Sequence, residues 1–128
     1  MGKEIPEIIK NVGFDFHWDN KKVWELDINT EEIDIKELEW HFEIPFLDFN
    51  SSYDLSPNQV INNADKFKSE YDRTMKADLN YPIDIMFNKG QWLILDGLHR
   101  LMKAKILGMK KVRVRKVPHS KINEILKD

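Results

Sequence analysis

The chain has no cysteine. Disulfides, thiolate metal sites and cysteine nucleophiles are therefore excluded. Glycine and proline number five each in 128 residues, too few for a long disordered or linker-like tract. No apolar run approaches the roughly 20 residues that a membrane-spanning helix needs. The opening Met1-Gly2-Lys3-Glu4-Ile5-Pro6 lacks the apolar core of a secretory signal, so a soluble cytoplasmic protein is the expectation. What the chain does have is apolar bulk, 41% of residues with four Trp and seven Phe. That is enough for one domain over residues 1–128 to bury about two-thirds of its unfolded surface.

Net charge is −2, but it is unevenly spread. Residues 1–60 carry five Lys/Arg against fourteen Asp/Glu, and residues 61–128 carry fifteen against eight. Two readings stay open: the basic half attracts an anionic ligand, or the halves attract each other in the fold.

Ile5, Ile8, Ile9 and Val12 predict a short terminal helix ending near Gly13. Phe14, Phe16 and Trp18 then alternate with polar residues and predict an extended strap, with His17 at its surface. Val23 to Ile28 reads as a strand, because Trp24, Leu26 and Ile28 share one face. Asp34 and Glu37 suggest a capped helical turn carrying Leu38. Glu39 to Leu47 reads as an apolar edge strand that Pro45 keeps extended. Glu39, His41 and Glu43 lie there among large aromatics, and a buried group of this kind serves as a base when its pKa is shifted. The alternative is that these acids are simply solvated.

Ser56-Pro57-Asn58-Gln59 is a helix start with Ser as cap and Pro at the first helical position. The helix is expected to reach about Ala77 with a break near Asn62-Asn63, and Phe67, Tyr71 and Met75 mark its buried stripe. Tyr81 to Phe87 and Trp92 to Asp96 form a hairpin across Asn88-Lys89-Gly90-Gln91. A sharp turn at Gly97 then starts a helix that stops at Gly108. Apolar residues at 98, 101, 102, 104, 106 and 107 predict burial over more than half of its circumference. Val112 to Arg115 is a strand, Pro118 closes it, and Ser120 is placed to cap a last helix containing Ile122, Ile125 and Leu126. The turn sets His99 and Arg100 in the first turn of the Gly97 helix. There the unpaired N–H groups and the positive dipole end favour an anion.

Between Lys66 and Val117 the chain resembles the ParB/sulfiredoxin superfamily. The resemblance lies in the order of elements: a helix, Pro82-Ile83-Asp84-Ile85, a hairpin, Asp96-Gly97-Leu98-His99-Arg100, a helix to Leu107-Gly108, and a basic strand ending in Val117-Pro118. The family turn reads Gly-Cys-His-Arg in sulfiredoxins and Gly-Glu-Arg-Arg in ParB proteins. The resemblance implies a small α+β fold, a mixed sheet with flanking helices. Residues 56–128 would be its core motif region and residues 1–55 a divergent extension with the first strands. It also implies a nucleotide or phosphate at Asp96, Gly97, Leu98, His99 and Arg100. Leu98 and His99 would supply backbone N–H groups, and His99 and Arg100 would hold phosphate oxygens. Asp96 would hold a metal such as Mg²⁺ accompanying the nucleotide, or merely stabilise the turn. Leu98 stands at the sulfiredoxin Cys position, so sulfinic-acid reduction is excluded. The chain ends soon after Val117, so the DNA-binding region and clamp of ParB partition proteins are not supported. Relatives of the fold include free-serine kinases, whose base is an N-terminal Glu, and proteins labelled nucleases.

Three functions are expected. The first is nucleotide-dependent phosphoryl chemistry with ATP, ADP or CTP, as hydrolysis or as transfer to a small molecule. The second is a ligand- or partner-binding module without chemistry. The third is nucleic-acid binding through Lys110, Lys111, Arg113, Arg115 and Lys116, a cluster without interleaved aromatics for base stacking.

Overall fold

In chain order the computed structural model, which describes residues 5–128, contains ten helices and strands. They are α1 (Glu7–Asn11), α2 (Asn20–Trp24), β1 (Thr30–Asp34), α3 (Pro57–Asn62), α4 (Lys68–Met75), β2 (Ile83–Asn88), β3 (Gln91–Asp96), α5 (Leu98–Ile106), β4 (Lys111–Val117) and α6 (Ile122–Ile125). Short 3-10 turns add Ile35–Glu37, Glu39–Glu43 and His119–Lys121. Residues 1–4 of the opening stretch lie outside the described residues.

The fold is α+β: one four-stranded mixed sheet in the order β1-β4-β2-β3, flanked by helices. The β2–β3 hairpin turns through Lys89 and Gly90, both at positive φ, as a two-residue turn that matches strand twist requires. β4 returns through α5 to lie parallel to β2 and antiparallel to β1. Side-chain alternation splits the sheet into two faces. Ile83, Ile85, Val112 and Val114 pack with Val60, Phe67, Leu101, Met102 and Ala104 of the α3–α5 layer. Met86, Leu95 and Val117 pack on the other face with Val23 of α2 and Ile125 of α6.

Several expectations hold. Gln59 N–H donates to Ser56 Oγ while Ser56 N–H donates to Gln59 Oε1, a complete capping box. The helix breaks after Asn62 and resumes at Lys68. In α5, Leu101, Met102 and Ala104 are buried, each large side chain contributing about 2–3 kcal/mol. The buried stripe is narrower than expected, because Leu107 is 54% exposed.

Three local assignments are corrected. Val23 to Ile28 is not a strand: Asp19 accepts the Lys21 N–H and starts a turn of helix, and Thr30 opens the first strand. The carbonyls of Val23, Leu26 and Ile28 accept from the Arg115 guanidinium instead of a neighbouring strand. Glu39 to Leu47 is not an edge strand, since Glu39–Glu43 is a 3-10 turn. Ser120 caps nothing; it sits exposed within the 3-10 turn after Pro118.

The 3-10 turn has a purpose at the sheet edge. β3 is the last strand, and its free backbone groups would otherwise be orphaned or open to another chain. Side chains take the place of a fifth strand. Trp40 Nε1–H donates to Trp92 O at 3.2 Å, Ile94 N–H donates to His41 Nε2 at 3.0 Å, and Trp18 Nε1–H donates to Leu95 O at 2.9 Å.

Candidate functional site

The Gly97 turn is built by a local irregularity. Asp84 pairs with Asp96 and Ile85 with Ile94, so β3 carries one extra residue, Leu95, just before the turn. Such a bulge bends a strand and re-aims the residues beyond it. Gly97 then adopts φ +115°, and α5 starts with no side chain capping it. A Cβ on Gly97 would lie 3.1 Å from Arg100 Nη1 and 3.2 Å from Ile83 side-chain carbons. Glycine is therefore favoured by its backbone conformation, and a side chain here would also crowd Arg100 and Ile83.

The uncapped helix end opens into a cavity of about 270 Å³ whose lining includes Asp78, Asp96, Gly97, Leu98, His99 and Arg100. The five residues that the sequence nominates thus share one cavity. Both side chains arrive already partnered. His99 Nε2 lies 2.8 Å from Glu70 Oε2, both side chains about one-fifth exposed. Arg100 donates through Nη1 to Pro82 O and through Nη2 to Asp96 Oδ2 at 3.2 Å. Asp96 Oδ2 also accepts from Trp24 Nε1–H at 2.7 Å, although the Trp24 ring is largely solvent-exposed. Asp78 and Asp96 are the two carboxylates lining the cavity, and each already accepts hydrogen bonds, Asp78 from Asn80 N–H and Asp96 from Trp24 and Arg100. Among the described residues no cluster of three or more His, Cys, Asp or Glu forms an all-protein metal site.

Glu39, His41 and Glu43 are not brought to this cavity. Glu39 pairs with Lys105 at 3.4 Å, and Glu43 accepts from Asn58 Nδ2 at 3.3 Å. His41 is 1% exposed, with Nδ1–H donating to Leu38 O and the ring stacked 3.7 Å from Trp40. Burial pulls its pKa down to about 4, partly opposed by the Leu38 carbonyl. A neutral imidazole spending both nitrogens on the backbone is a structural acceptor, not a base.

Two groups escaped the sequence reading. Glu70, on α4, reaches His99 from 29 positions away. Glu70 thereby fixes the His99 ring through Nε2. Asp84 is the second: 2% exposed, on β2 beside Asp96, and 3.0 Å from Arg115 Nη1. Burial pushes its pKa up to about 6; Asp96 adds to the rise while Arg115 and Arg100 oppose it. Buried, shifted carboxylates concentrate at functional sites, and this one underlies the Gly97 turn.

The basic strand is dispersed. Arg115 points into the protein, Lys116 pairs with Glu31 at 3.1 Å, and Arg113 donates to Asn80 O. Lys89–Asp15, Lys105–Glu39 and Lys116–Glu31 pair lysines of the basic half with carboxylates of the acidic half, whereas Lys22–Asp128 runs the other way. Part of the charge asymmetry is offset within the fold. Among the described residues no helix is long and apolar enough to cross a membrane. No protein-family model, curated protein or solved structure matches this chain.

Proposed function

We propose that the chain binds a phosphorylated small molecule, a nucleotide by its resemblance to the ParB/sulfiredoxin superfamily, at the Gly97 turn. One observation carries the reading: a left-handed glycine delivers an uncapped nine-residue helix into a cavity that both His99 and Arg100 line. Phosphate oxygens meet the Leu98, His99 and Arg100 N–H groups, where the dipole favours negative charge. Arg100 turns from Asp96 to the phosphate, a bidentate partner for its fork. The Asp96 carboxylate so released, with Asp78, repels a bare anion, so the ligand arrives best as its Mg²⁺ complex. The family likeness draws support from the order α4, β2, β3, α5, β4 and from the turn at Gly97.

The favoured chemistry is phosphoryl transfer or hydrolysis, with His99 oriented by Glu70 rather than Glu39, His41 or Glu43 in the base role. Phosphoryl transfer is dominated by positioning and charge stabilisation, which this site supplies. The test is a thermal-shift and calorimetric titration with ATP, ADP, CTP and tripolyphosphate, each with and without Mg²⁺. A ligand at 100 times its Kd stabilises by about 2.7 kcal/mol. Binding that requires Mg²⁺ and is lost in Arg100→Ala supports the reading. Failure of every phosphate compound to bind the folded protein refutes it. Binding without turnover assigns the chain to a sensing module of the same ligand class.

A further inference from the structure

We propose that a second cavity is a separate binding site for an uncharged, ring-bearing polar molecule of nucleoside size. This cavity, of about 560 Å³, lies between the N-terminal segment and the β3 edge. Small-molecule sites occupy about 300–1,000 Å³, and this is the larger of the two cavities meeting at Leu98 and Ile94.

Its walls are rings. Phe14, Phe16, Trp18, Phe46 and Tyr53 line it, and Phe14 and Phe46 meet edge to face at 5.1 Å. Ring faces and edges hold a planar ring by stacking and T-shaped contact. Its polar groups suit hydrogen bonding rather than charge. Asn20 accepts from Trp18 through Oδ1, leaving Nδ2 as a donor for the ligand. Asp19 and Lys127, one of each sign, both reach the lining, so no net field favours an anion. Among the described residues no arginine lines this space and Leu98 is the one residue of α5 that does, whereas Leu98, His99 and Arg100 all line the Gly97 cavity.

One wall is held at a cost. Tyr53 has φ +55°, a conformation that bulky residues avoid and that collects where function requires it. The loop around it is wired tightly. Asp48 accepts the Tyr53 N–H at 2.7 Å, and Asp54 accepts from the N–H groups of Phe49, Asn50 and Ser51. The 47–55 loop thereby offers a preformed face to the cavity. Because Leu98 and Ile94 wall both cavities, a molecule seated here lies beside whatever occupies the Gly97 turn.

The site stands on geometry that does not use the phosphate reading, and the test separates the two. The full chain is titrated with adenosine and with uridine, followed by amide and indole NMR shifts. Saturable shifts at Trp18, Phe46 and Tyr53 are expected, unchanged in Arg100→Ala. Phe46→Ala weakens binding at least tenfold. Tyr53→Gly does the same in a chain that still melts cooperatively, since glycine accepts φ +55° without strain. No saturable shift with either nucleoside up to millimolar concentration overturns the proposal, and does so whether or not tripolyphosphate binds. Shifts confined to residues 96–100 and abolished in Arg100→Ala also overturn it, because the nucleoside is then using the Gly97 cavity.

Discussion

Two buried groups titrate in opposite directions, and their effects on stability should cancel. His41 is neutral in the fold to about pH 4, whereas an unfolded histidine takes up its proton near 6.5. Its contribution is complete above pH 6.5 and is lost as pH falls toward 4. Asp84 runs the other way. It protonates near 6 in the fold and near 3.8 when unfolded, so its contribution is complete below 3.8 and is lost as pH rises through about 6. Each pH unit of difference is worth about 1.4 kcal/mol, so each group moves stability by about 3 kcal/mol. Between about pH 4 and 6 the slopes are equal and opposite.

Urea unfolding of the wild type, Asp84→Asn and His41→Phe from pH 4 to 7.5 exposes the cancellation, provided the denaturant slope stays constant. Asp84→Asn keeps an oxygen for Arg115, and any fixed offset is independent of pH because arginine does not titrate there. Relative to the wild type, Asp84→Asn gains about 3 kcal/mol as pH rises from 4 to 7. His41→Phe falls behind by about 3 kcal/mol over the same interval, on top of a constant cost for the orphaned Ile94 N–H. Carboxylates remote from Asp84 and His41 contribute alike in all three proteins and drop out of the differences. Flat difference curves, or curves of the same sign, refute the argument.

Gly97→Ala forces a side chain onto φ +115° and against Arg100; a loss of about 1–2 kcal/mol or more by thermal melting is expected, with weaker binding of tripolyphosphate. Glu70→Gln removes a negative charge beside His99 while keeping an oxygen acceptor. Anion binding should tighten several-fold by calorimetry, the reverse of Arg100→Ala. Arg115→Met strands Asp84 and unties the carbonyls of Val23, Leu26 and Ile28. A loss of about 3–5 kcal/mol in urea is expected, together with faster hydrogen exchange across residues 23–29.

The elements legible in the sequence were those whose signals are local. The Ser56 capping box, the Lys89-Gly90 turn, the Gly97 helix start and the alternation in β4 each depend on neighbours within a few positions, and all four are found. The strand misread at Val23–Ile28 shows the limit. Its period-2 pattern is genuine, but a strand needs a partner ladder. Here one guanidinium on β4, distant in sequence, takes those carbonyls. The Glu39–Leu47 error has the same origin: its aromatics cover the edge of β3 with indole and imidazole nitrogens instead of forming a strand themselves.

The candidate site divides along the same line. Asp96 to Arg100 is a contiguous run, so its gathering at one cavity could be read from five adjacent letters. Glu70 and Asp84 could not, since each matters only through a partner that packing supplies: His99 for the first, Arg115 and Asp96 for the second. Glu39, His41 and Glu43 lie among aromatics, a setting that suggests a base from sequence, yet burial there is why His41 is unsuitable. Although His41 borders the larger cavity, both of its ring nitrogens are committed to backbone groups, so the imidazole has no free acceptor for a substrate proton. His99 is only partly covered, keeps one nitrogen uncommitted, and is steered by a carboxylate. The two histidines thus differ in burial and in their partners, a difference that depends on the fold.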